Sequence, residues 1–139
     1  MAINLQKGQR VTLDNSMKLA LVGLGWDTNR YDGGHDFDLD ASAFLLDENG
    51  KLIRDEDFVF YNNFNGRDGA VVHTGDNLTG AGDGDDEQIF VDLQRVPQNI
   101  AKIVFVVNIY DANVRRQHFG LIRNALIRLV DCSINCDIC

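Results

Sequence analysis

The chain has 139 residues, 45% of them hydrophobic and 24% charged, which fits one globular domain large enough to bury a core. Acids outnumber bases 21 to 13, and the net charge of −8 repels phosphate backbones and anionic lipid, so nucleic acid and direct membrane insertion are excluded as expectations while cations are favoured. Met1 to Lys7 lacks the features of a signal peptide, no apolar run approaches the ~20 residues of a bilayer span, and Cys132, Cys136 and Cys139 crowd the tail, so the expectation is a cytoplasmic protein with reduced thiols.

The 13 glycines against one proline predict turns made by Gly and Asx residues. Val11 to Leu13 reads as a first strand, ended by the turn Asp14-Asn15-Ser16, and Lys18 to Leu24 as a second. Phe37 to Leu46 is a third, closed by Asp47-Glu48-Asn49-Gly50. Phe58 to Tyr61 and Ala70 to Val72 are short strands, and Gln88 to Leu93 alternates apolar and polar residues. Ile103 to Val107 is apolar on both faces and is expected to be central and fully buried. Val114 to Phe119 is the expected helix, while Ile122 to Val130 fits a strand or a helix. Many short strands with little helix predict an all-β, two-sheet sandwich as a single domain over 1–139.

Two acidic clusters carry the chemistry. In Asp36-Phe37-Asp38-Leu39-Asp40-Ala41-Ser42-Ala43, strand alternation sends Phe37, Leu39, Ala41 and Ala43 to one face and lines Asp36, Asp38 and Asp40 along the other, about 7 Å apart. The second runs from Gly75-Asp76-Asn77 through Gly82-Asp83-Gly84-Asp85-Asp86-Glu87, and no Lys or Arg occurs from Asp68 to Gln94 to neutralise it locally. Its glycines let the backbone curl and aim carbonyl oxygens inward. Carboxylates, amides and carbonyls form a hard oxygen set that suits Ca2+. Two readings stay open: solvated acidic turns, or a calcium site folded from several loops.

Neither standard calcium loop fits. An EF-hand starting at Asp36 would place Ala41 where glycine is required and Asp47 at its last ligand position, with no helical flanks. The glycine-aspartate stretch 80–85 occurs once, whereas a calcium β-roll needs stacked copies. His35, His73 and His118 lack zinc spacing and read as surface residues, with orientation of a carboxylate the alternative for His35 and His73. Trp26 reads as a packing residue, and Arg115-Arg116 with Arg123 and Arg128 as partners for the acids or for another protein. The cysteine spacing CxxxCxxC reads as reduced thiols rather than as ligands of an iron–sulfur cluster.

With those residues in view, the chain resembles the bacterial tellurite-resistance TerD family of stress-response proteins. The resemblance rests on Val22-Gly23-Leu24-Gly25-Trp26-Asp27, the strand from Asp36 to Ala43, and Phe58-Val59-Phe60-Tyr61-Asn62-Asn63. It continues through His73-Thr74-Gly75-Asp76-Asn77-Leu78-Thr79-Gly80, Gly82 to Glu87, Ile103 to Val107 and Gln117-His118-Phe119-Gly120. It implies a non-enzymatic, calcium-binding β-sandwich in tellurite and chemical-stress resistance, working through other stress-response proteins or self-association. The implied ligands are Asp27, Asp38, Asp40, Asn62, Asp76, Asn77, Asp83, Asp85, Asp86 and Glu87. Domains of this family run roughly 50 residues further and add strands, so the expectation here is an open strand edge or pairing with a second copy. The alternative function is a metal-dependent phosphoester hydrolase whose acids hold Mg2+ or Mn2+.

Overall fold

In the computed structural model of the chain, residues 2–3, 6–10, 12, 16–28, 34–75, 80 and 85–132 are described. Two antiparallel sheets pack face to face. The larger has six strands in the order β1 (Ala2–Ile3), β9 (Leu126–Asp131), β2 (Leu19–Gly25), β7 (Glu87–Asp92), β6 (Val71–His73) and β5 (Asn65–Gly66). The smaller orders β4 (Phe58–Val59), β3 (Leu39–Leu46) and β8 (Lys102–Ile109). The two-sheet all-β expectation therefore holds. No helix among the described residues is long and apolar enough to cross a membrane.

Alternation builds the core. In β3, Leu39, Ala41, Ala43 and Leu45 are buried at the sheet interface, and in β7 the inward set is Glu87, Ile89 and Val91. Trp26, Phe37, Val59 and Val71 belong to the same cluster. β2 is buried along nearly its whole length because β7 and β9 flank it on both sides.

Three expectations need correction. The run Ile103 to Val107 lies in β8, which is an edge strand rather than a central one: it pairs with β3 at Ala41↔Val107 and Ala43↔Phe105, and among the described residues no strand pairs its other side. Val104 and Val106 are accordingly about 40% exposed, at 41% and 39%. A solid apolar run reports only the strand's own faces, not what lies beside it. An open apolar groove of about 300 Å3 separates β8 from β2 and β9, lined by Val22, Phe105 and Leu129 among others. The helix is a single turn, α1 (Ala112–Arg115), because Asp111 (φ 52°) and Arg116 (φ 53°) are left-handed and stop propagation at both ends. Cys132 is buried and disulfide-bonded, where free thiols were expected; an odd cysteine count says only that one thiol is left over. Of the ambiguous segment 122–130, residues 126–130 fall in β9 and 122–125 in no strand or helix. The strand expected at Val11 to Leu13 lies outside the described residues except for Thr12, which is in no strand.

Candidate metal centre

Asp38 and Asp40 are placed by β3. Leu39 between them is fully buried in the core, so period-two geometry carries both carboxylates to the opposite side of the strand. The main chain is pinned there: the Tyr110 N–H donates to the Asp38 carbonyl at 2.7 Å, and Asp40 lies opposite Asn108 of β8. Glu87, the first residue of β7, arrives from the other sheet. Asp38, Asp40 and Glu87 each offer one carboxylate oxygen within 4.8 Å of the others, and all three residues are at most 5% exposed.

Glu87 is held in place from two directions. Its Oε1 accepts the Ala41 N–H of β3 at 3.0 Å and lies 3.2 Å from Nε2 of His73 on β6. His73 is 2% exposed, so it is a core histidine that orients a carboxylate and not a surface residue. The signal was available in the alternation, which carries His73 to the same inward face as Val71.

The donor set fits a calcium ion. Oxygens on opposite sides of Ca2+ are separated by twice a metal–oxygen distance of 2.3–2.6 Å, about 5 Å, so oxygens within 4.8 Å of one another are close enough to converge on one ion. Three carboxylates, monodentate or bidentate, supply roughly three to six of the six to eight oxygens such an ion takes. Three negative charges buried at one point also repel one another, which a divalent ion would relieve.

The remaining candidates are distributed differently. Asp85, Asp86 and Asp27 form a second acidic group around β2, β7 and β9. Asp85 accepts from Arg128 of β9 at 2.6–3.1 Å through Nε and Nη2, and from Gln88 Nε2 at 3.1 Å. A cation far away in sequence thus balances an acid that lacked a local one. The carboxylate occupies the space over Gly23, where a Cβ would clash with it, which explains a glycine inside β2. Burial pushes the Asp86 carboxyl above the ordinary value, and the neighbouring charges of Asp85 and Asp27 add to the rise, against the Trp26 N–H that donates to its Oδ2 at 2.8 Å. Asp27 accepts from Asn124 Nδ2 at 2.9 Å. Trp26 ties the two acidic segments together, since its indole N–H also donates to the Phe37 carbonyl at 2.8 Å. Asn62 is exposed in the turn between Phe60 and Asn63 and is not brought to either group. Asp76, Asn77 and Asp83 lie outside the described residues.

A third acidic site, Asp57, is fully buried beneath Arg67 (2.7 and 2.9 Å) and Arg54 (3.2 Å). Burial alone would raise its carboxyl; the hydrogen bonds from Arg67 and Arg54 outweigh that and hold it below the ordinary range.

The TerD domain family model matches residues 1–139. The chain is 57% identical over 134 residues to General stress protein 16U of Bacillus subtilis (strain 168) and, with the same identity and length, to Tellurium resistance protein TerD of Serratia marcescens. In both cases the match covers 94% of this chain and 69% of the relative. A crystal structure of a homologue of telluride resistance protein (TerD) from Streptomyces coelicolor A3(2) superposes with a TM-score of 0.71 at 22% identity, covering 84% of this chain and 68% of that one; it shows a shared fold.

Proposed function

Because this chain belongs to the TerD domain family, we propose that it is a calcium-binding, non-enzymatic stress-response protein, acting in tellurite and chemical-stress resistance through partner proteins or a second copy of itself. The observation that carries the reading is the convergence of Asp38, Asp40 and Glu87, buried and within 4.8 Å, at the junction of the two sheets. The names of the relatives, a general stress protein and a tellurium resistance protein, support the cellular role.

In this reading Asp38 and Asp40 hold the ion from the three-stranded sheet and Glu87 holds it from the six-stranded one. The ion supplies positive charge that neutralises the three carboxylates and ties the sheets together. Ala41 keeps Glu87 in register with β3 through its N–H. Asp85 serves instead to fasten β9 to β7 through Arg128 and Gln88. The proposed location is the cytoplasm.

Calorimetric titration of the chain with Ca2+ tests the reading. Heat of binding and a melting temperature that rises with calcium are expected, since a ligand at a hundred times its Kd stabilises the native state by about 2.7 kcal/mol. No heat and no thermal shift at millimolar Ca2+ would refute it.

A further inference from the structure

We infer that His73 is a positioning residue for the metal centre, holding the Glu87 carboxylate in its working orientation together with the Ala41 N–H. The inference rests on the calcium reading above and deepens it. Three observations carry it. First, the ring is locked. Its Nδ1 accepts the Gly75 N–H at 3.1 Å, and a backbone N–H can only donate, so Nδ1 presents its lone pair and the neutral ring carries its hydrogen on Nε2. Second, that Nε2–H faces Glu87 Oε1 at 3.2 Å, with both side chains at most 1% exposed. Third, the rest of the residue is fixed: the His73 N–H donates to the Phe64 carbonyl at 2.7 Å, and the Phe64 ring packs against the imidazole at 5.3 Å between centroids.

Glu87 Oε1 is therefore gripped by donors from two strands in different sheets, Ala41 of β3 and His73 of β6. A carboxylate held at one oxygen by two directional donors loses its freedom to rotate, so the entropy of ordering it is spent in folding and not in ion binding. Partners that hold a ligating carboxylate typically contribute 10–100-fold to metal affinity. Gly75 gives the arrangement a further reach. It sits at φ 142°, a conformation open to glycine, and its N–H links the ring to the segment that leads toward Asp76.

The test uses the full chain, Ca2+ as the probe, and two variants. His73→Phe keeps the ring volume and the contact with Phe64 but removes the donor; His73→Gln keeps a donor near the position of Nε2. Calorimetry should show about a 10–100-fold loss of calcium affinity in His73→Phe and affinity close to wild type in His73→Gln, with melting temperatures in chelator recorded for both. A merely structural histidine would lower the melting temperature without separating the affinities of the two variants. Equal affinity in His73→Phe and wild type, or an equal loss in both variants, overturns the inference while leaving the calcium reading intact. A wild-type chain that takes up no calcium overturns both. Nitrogen-15 correlation spectra of the wild-type ring provide a readout that needs no variant: the neutral Nε2–H tautomer is expected, and the Nδ1–H tautomer would overturn the assignment.

Discussion

Replacing Asp40 with Asn should stabilise the protein without calcium and destabilise it with calcium. The oxygens of Asp38, Asp40 and Glu87 lie within 4.8 Å of one another, and at that limit each pair, when ionised, repels by about 3.5 kcal/mol at an effective dielectric of 20. Asp40 belongs to two of the three pairs, which gives a gross relief of about 7 kcal/mol for Asp40→Asn. Side-chain relaxation and exchange with protons trim that figure, and the net gain expected in chelator is on the order of 1–3 kcal/mol. Asn is nearly isosteric with Asp, and its amide can donate to the carboxylates beside it, so little packing energy is lost. In saturating calcium the same substitution removes one charged oxygen donor, weakens binding and reduces the stabilisation that binding confers.

The assay is urea unfolding of both proteins, once in chelator and once in millimolar CaCl2. Wild type should have the lower midpoint in chelator and the higher one in calcium, with unchanged slopes. Crossing is the diagnostic, because a purely structural Asp40 would make Asp40→Asn less stable by the same amount in both buffers. That parallel loss would refute the argument.

Asp57→Asn should cost roughly 3 kcal/mol at pH 7, because it leaves Arg67 nearly buried without its charge partner. The Asp57 carboxyl is held below its ordinary 3.8, so this stability is fully present above that value and is lost as the pH falls through the lower folded value; wild-type and variant unfolding curves measured from pH 6 to 2.5 should converge at the acid end. Gly80→Ala puts a Cβ against the Trp26 indole at a φ of 79°, and about 1–3 kcal/mol of destabilisation with a red-shifted tryptophan emission is expected; unchanged fluorescence would count against the packing. Val106→Lys places a charge on the exposed face of edge strand β8, so sedimentation should show less self-association than wild type with stability changed by under about 0.5 kcal/mol; equal association in both would remove β8 from any self-pairing surface.

What could be read from the sequence was whatever depends on a strand's own alternation. The faces of β3 were legible, including the sorting of Leu39 from Asp38 and Asp40. The same rule reaches Glu87, since it shares the inward set of Ile89 and Val91, while Gln88 and Asp92 are only half-buried on the other side. What the sequence could not express is adjacency between strands. Nothing in Ile103 to Val107 reveals that only β3 lies beside it. Nothing local to Asp85 points to Arg128, 43 residues away. The helix failed for a different reason: Val114 to Phe119 has a workable apolar pattern, but backbone conformation at Arg116 ends the turn.

The chain deals with its acids in distinct ways, and the difference follows from where each sits. Asp57 and Asp85 are matched by arginines: one pair links the turn before β4 of the smaller sheet to the turn after β5 of the larger, and the other reaches over β2 from β9 to the start of β7. Such pairs act as local fasteners, directional and bidentate. Asp38, Asp40 and Glu87 instead join β3 to β7, with the two aspartates on the side of β3 away from Leu39. A buried arginine at that junction would need its long stem and planar head accommodated beside the three carboxylates. A small spherical ion accepts oxygens from several directions and occupies no more space than the oxygens leave. Under the proposed reading, this junction is held by an exchangeable charge where the other buried acids are held by arginine. The tie between β3 and β7 would then depend on calcium concentration, whereas the arginine pairs, one of them also between the sheets, hold whether or not the ion is bound.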